Sequence, residues 1–154
     1  GRGNHIIFSK EKFKQRFIKN NMSVFIDTMI SLTTAEQDLF QVLLQAVEAY
    51  HQQHGNNHVA KSERTILRVA GGWVRDKLLK KTSKDIDIAL NNMSGVQFAH
   101  CVNDYLASQG METRTIAVIQ ANPDQSKHLE TANLRVLGFE IDCVNLRAET
   151  YTGK

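Results

Sequence analysis

Proline is almost missing from this chain: one residue, Pro123, in 154, beside nine glycines. That scarcity excludes a collagen-like or proline-rich low-complexity protein. Cysteine is nearly as scarce. Cys101 and Cys143 are too few for a disulfide scaffold, and they read as core residues of a protein from a reducing compartment. No run of about 18 apolar residues occurs, which excludes a membrane-spanning helix. What is present is ordinary for a globular protein, with 42% hydrophobic and 23% charged residues. At this length one domain is expected, able to bury about two thirds of its unfolded surface.

Charge is unevenly spread. Residues 1–20 carry Arg2, Lys10, Lys12, Lys14, Arg16 and Lys19 against Glu11, so that +5 of charge sits there and the rest of the chain holds −2 of the total of +3. A second basic cluster runs from Lys61 to Lys84, opposed only by Glu63 and Asp76, and stops at Asp85. A basic strip next to carboxylates suits polyanions together with a divalent ion, although charge runs more often simply face water.

The basic segment from His5 to Asn20, interleaved with Ile6, Ile7, Phe8, Phe13, Phe17 and Ile18, has the composition of a mitochondrial presequence. A basic surface helix or a disordered arm is the equal alternative, and Met22 offers an internal start. The chain opens on Gly1, which reads as a processed or truncated start. We therefore expect residues 1–30 to be a basic extension and 31–154 to be the folded domain.

A helix is expected over Thr34 to His54. Thr33 and Glu36 have capping-box spacing, and Leu39, Phe40, Leu43, Ala46, Val47 and Tyr50 form an apolar stripe at helical period. His51, His54 and His58 lack the carboxylate or thiolate that would complete a metal set. Thr65 to Ala70 reads as a strand, broken by Gly71-Gly72, then a helix from Trp73 to Lys81 with Trp73, Val74, Leu78 and Leu79 available to the core. A strand follows over Asp85 to Leu90. Ser94 then caps a helix to about Gln109. Further strands are expected at Thr113 to Ile119, Glu130 to Leu137 and Phe139 to Leu146, the last two joined as a hairpin at Gly138. The pattern predicts an α+β domain: a small mixed sheet of about five strands, helices on one face, the site on the other.

The residues that carry chemistry lie within about twenty positions. Alternate strand residues share a face, so Asp85 and Asp87 present two carboxylates with Cα atoms about 6.6–7 Å apart, while Ile86 and Ile88 point into the core. Hard oxygens at this spacing suit Mg²⁺. Asp142, flanked by Ile141 and Cys143, can point to the same side, and three carboxylates from two strands could hold two metal ions for an in-line displacement at phosphorus. Gly71 and Gly72 let the backbone approach an anion at a helix start, and Arg75 adds a forked contact to phosphate.

GGWVRDKLL, followed by KDIDIAL, resembles the signature of the DNA polymerase β nucleotidyltransferase superfamily, in its branch of CCA-adding enzymes and bacterial poly(A) polymerases. SKHLETANLRVLGFEIDCVNLRAETYT is similar to eukaryotic, especially fungal, members of that branch. The resemblance spans about Ser31 to Thr152. It implies a polymerase-β-like catalytic head that adds CCA to tRNA 3′ ends from CTP and ATP with two Mg²⁺ ions. Asp85, Asp87 and Asp142 would be catalytic, the first two as metal ligands. Gly71, Gly72, Arg75, Asp76 and Arg147 would serve the nucleotide, with a structural bond to the turn an equal reading for Asp76.

The base-selecting and tRNA-gripping regions of such enzymes lie beyond Lys154, so the chain reads as the first part of a longer protein. The resemblance implies tRNA and nucleotides as partners, with no membrane and no obligate protein partner. It implies the cytoplasm or nucleus as location, and a mitochondrial form if the basic segment is a presequence. Other readings share this head: an enzyme adding only CC or only A, a poly(A) polymerase, a nucleic-acid-binding module without catalysis, or a purely structural domain.

Overall fold

A computed structural model of the chain describes residues 5–8, 14–19, 22–27, 31–54, 64–120 and 130–145. The elements are β1 (His5–Phe8), β2 (Lys14–Lys19), β3 (Met22–Asp27), α1 (Thr34–His54), β4 (Ile66–Ala70), α2 (Gly72–Leu78), β5 (Asp85–Leu90), α3 (Gly95–Ser108), β6 (Ala117–Ile119), β7 (Thr131–Val136) and β8 (Phe139–Asn145).

The α+β class is as expected, but the sheet is larger. Among the described residues it has eight strands in the order β2-β3-β1-β4-β5-β8-β7-β6. The three additional strands all come from the range expected to be an extension. β1 runs parallel to both β3 and β4 and lies between them. Ile6 and Phe8 have no exposed surface. β1 is strand rather than helix or arm because Ile6, Ile7 and Phe8 are β-branched or aromatic residues that fit a pleated surface.

The helices form as their caps dictate. Thr33 Oγ1 accepts the Glu36 N–H at 3.1 Å and Glu36 Oε1 accepts the Thr33 N–H at 2.9 Å, a reciprocal capping box that starts α1. Leu39, Phe40, Leu43, Ala46 and Val47 are buried along the expected stripe. Ser94 Oγ accepts the Gln97 N–H at 3.0 Å and starts α3. Helix α2 is shorter than expected. It ends at Leu78, Lys80 takes a positive φ of 62°, and Leu79 is left 57% exposed instead of reaching the core. β6 is likewise only three residues long.

Helices cover one face of the sheet. Ile86, Ile88 and Leu90 of β5, Ala132, Leu134 and Val136 of β7, and Phe139, Ile141 and Cys143 of β8 are buried on that side. α3 lies so close to β7 and β8 that a Cβ on Gly95 would meet the Cys143 carbonyl oxygen at 2.2 Å. Cys101 Sγ donates to the Ala46 carbonyl, and burial pushes its thiol up to about 12. Cys143 is driven upward by burial as well. Both thiols are core residues, as their scarcity suggested. His51 Nε2 pairs with Thr65 Oγ1 at 2.9 Å and His54 stacks on Tyr50 at 4.3 Å. His58 lies outside the described residues.

One aromatic cluster connects β1 to the rest. Phe8 meets the Phe40 ring edge-to-face at 5.1 Å and stacks on Trp73 at 5.7 Å, and Phe40 meets Trp73 at 5.8 Å. Phe8→Ala is expected to destabilise the fold by about 3–5 kcal/mol, the cost of emptying a large aromatic site, read as a lower urea midpoint. A chain starting at Met22 lacks β1 altogether and should unfold at still lower urea. An unchanged midpoint for that shorter chain would contradict the placement of β1 in the core.

Candidate active site

Strand β5 places Asp85 and Asp87 on the sheet face opposite the helices, alternating with buried Ile86 and Ile88. β8 runs parallel to β5 in a register that sets Asp87 beside Asp142 and Asp85 beside Glu140. Four carboxylates therefore occupy two adjoining rungs. The Asp87 and Asp142 side chains lie within hydrogen-bonding reach of one another. The Asp87 carboxyl is held above the usual carboxylate range, first by desolvation, then by the charge of Asp142 and the contact with it, and last by the charge of Asp85.

The glycine step stands beside this pair. Gly71, at the end of β4, has φ 82°, a left-handed value that side chains rarely adopt. A Cβ there would lie 3.3 Å from Asp87 Oδ2. Gly71 caps α2 without a side-chain bond, so the first N–H groups of that turn have no capping oxygen. Arg75 is exposed and its Nη2 reaches back to 3.4 Å from where a Gly72 Cβ would stand.

Asp76 is placed differently: its carbonyl accepts the Lys81 N–H at 2.8 Å in the turn after α2, and its carboxylate lies 3.8 Å from Arg75 Nε. The structure thus brings Gly71, Gly72, Arg75, Asp85, Asp87 and Asp142 to one side of the sheet, with the Asp76 carboxylate beside Arg75. Arg147 lies outside the described residues.

The loop-and-helix piece is firmly held. Trp73 sits in the aromatic cluster, and Lys77 Nζ forms a buried ion pair with Glu36 Oε1 at 2.6 Å. This ties α2 to the first turn of α1.

Three carboxylates meeting at one point is not what the structure shows. Among the described residues no group of three or more His, Cys, Asp or Glu side chains is arranged to hold a metal ion by itself. Asp87 and Asp142 face each other, and Asp85 acts from one pleat away. The donor set still fits a hard divalent ion: it is all oxygen, and the Asp87–Asp142 repulsion is what a shared cation relieves.

Sequence reasoning missed Asn133, Arg135 and Glu140. Asn133 Nδ2 donates to Asp142 Oδ1 at 2.8 Å, and Arg135 Nη2 pairs with Glu140 Oε2. The two-residue turn at Leu137–Gly138 carries the signal. Once Val136 faces Phe139, Asn133 must face Asp142.

The family model described as the poly A polymerase head domain matches residues 67–154. The chain belongs to that family. A relative named CCA tRNA nucleotidyltransferase, mitochondrial, from Saccharomyces cerevisiae is 44% identical over 142 residues, 90% of this chain and 25% of its own. A protein of the same name from Candida glabrata is 42% identical over 80% of this chain and 23% of its own. A tRNA nucleotidyltransferase of Schizosaccharomyces pombe is 54% identical over 56% of this chain and 17% of its own. The chain spans about a quarter or less of these relatives' length.

A raised carboxyl value in the folded state means that charging Asp87 opposes folding. Its cost is absent below the unfolded value near 3.8, grows as pH rises above it and levels off past the raised folded value. In metal-free buffer Asp87→Asn should therefore raise Tm at pH 7 and lose that advantage toward pH 4. A Tm difference independent of pH would contradict the assigned repulsion.

Proposed function

We propose that this chain is the nucleotidyl-transferring head of an enzyme that adds CCA to tRNA 3′ ends. The observation that carries the reading is the facing Asp87–Asp142 pair on the open sheet face, next to the Gly71 backbone. The family and the names of the fungal relatives support tRNA as acceptor.

The tRNA 3′-hydroxyl attacks the α-phosphorus of CTP or ATP, a new P–O bond forms, the bond to pyrophosphate breaks, and the hydroxyl proton is released. Mg²⁺ supplies charge neutralisation and a lowered hydroxyl pKa when bound. Asp87 and Asp142 would hold such an ion, with Asp85 on the same face beside them. Gly71 and Gly72 keep side chains away from the triphosphate and offer backbone N–H groups, and Arg75 adds a mobile fork. Arg147 is kept among the nucleotide-binding residues in this reading.

Location follows the same reading. A cytoplasmic or nuclear enzyme is consistent with the two buried free thiols, and the mitochondrial relatives support a mitochondrial form. Because Ile6 and Phe8 are core residues, such a form keeps the chain from His5 onward after import. Residues 31–154 make the catalytic part, completed by strands β1–β3.

The test is to incubate the enzyme carrying this head with tRNA lacking its 3′ end and each nucleotide singly and in sequence. CTP and then ATP should be incorporated. Equal extension with GTP or UTP would overturn CCA addition, and extension by ATP alone into long tails would favour a poly(A) polymerase. Asp87→Asn should lower turnover by at least about 10²-fold, the scale of removing one group that stabilises transition-state charge. Asp142→Asn should act in the same direction.

A further inference from the structure

We infer that Asn133 is a positioning residue for the acidic pair, orienting Asp142 toward Asp87 from the neighbouring strand. The inference rests on the proposed reading of that pair as an ion site. Asn133 lies directly opposite Asp142 in the antiparallel β7–β8 ladder, and the two-residue turn at Leu137–Gly138 fixes that pairing. Its Nδ2 donates to Asp142 Oδ1 at 2.8 Å and lies 3.4 Å from Glu140 Oε1. Both neighbours are carboxylates and only accept, so the amide nitrogen, not the oxygen, must face them.

The chemistry of the donor matters. A cation at position 133 would cancel part of the charge that an incoming metal ion needs. Asn133 fixes one oxygen of Asp142 without neutralising it. The cation on the same strand, Arg135, is directed instead to Glu140, on the rung beyond Asp142. The result is a sorted face, with Glu140 paired to a guanidinium and Asp142 held by a neutral amide. Partners that orient a ligand carboxylate typically govern metal affinity by about 10–100-fold.

The experiment measures Mn²⁺ binding to the purified full chain by electron paramagnetic resonance, with Tm recorded for every variant. Asn133→Leu keeps the volume and removes the donor, and should weaken Mn²⁺ binding by about 10–100-fold at nearly unchanged Tm. Asn133→Thr restores a donor suited to a strand and should recover most of the loss. Asp87→Asn should abolish the site.

If Asn133→Leu binds Mn²⁺ like the parent while Asp87→Asn does not bind, the role of Asn133 is overturned and the ion reading stands. Parental binding by Asp87→Asn would overturn the ion reading and this inference with it. Weak binding by both position-133 variants, together with lowered Tm in both, would show Asn133 to be merely structural and overturn the proposal.

Discussion

Two negative charges are forced together by backbone hydrogen bonding. The parallel β5–β8 register leaves Asp87 and Asp142 no choice but to share a rung on the same face, and their alternating neighbours Ile86, Ile88, Ile141 and Cys143 are locked in the core. Sliding either strand by one residue would expose those apolar groups and bury the acids. The hydrophobic pattern therefore stabilises the sheet and, through it, imposes a repulsion that only a proton or a cation can relieve. Asn133, Gly71 and Arg75 are arranged around that constraint.

The glycine step depends on a different set of contacts. α2 has only seven residues, and little intrinsic stability comes with that length. It stays in place because Trp73 is packed between Phe8 and Phe40 and because Lys77 meets Glu36 out of solvent. Glu36 thus has two tasks, since the same Oε1 also accepts the Thr33 N–H at the start of α1. Removing Lys77 would leave a buried carboxylate without its counter-charge, which is more damaging than losing a surface pair.

Much of this was legible in the residues alone. The helix over Thr34–His54 was visible because its capping box and its apolar stripe agree, and β5 because its acids and isoleucines alternate strictly. The glycine step was legible from the left-handed geometry that Gly71 tolerates. The eight-strand sheet was not legible, because β1 pairs with strands remote in sequence, and basic residues among its neighbours gave the segment the look of an extension. The helix over 72–78 was read too long because nothing in Leu79-Lys80-Lys81 announces a stop; Lys80 enters a left-handed conformation without being glycine. The meeting of Asp142 with Asp87 was expected from β-strand alternation, whereas the part of Asn133 needed the hairpin register.

The position of β1 also shapes how the chain reaches its native state. His5 lies opposite Ile66, so about sixty residues must be synthesised before β4 can zip against β1. Until then β1 has only one of its two neighbouring strands to pair with. Non-local parallel pairing of this kind is slow to form.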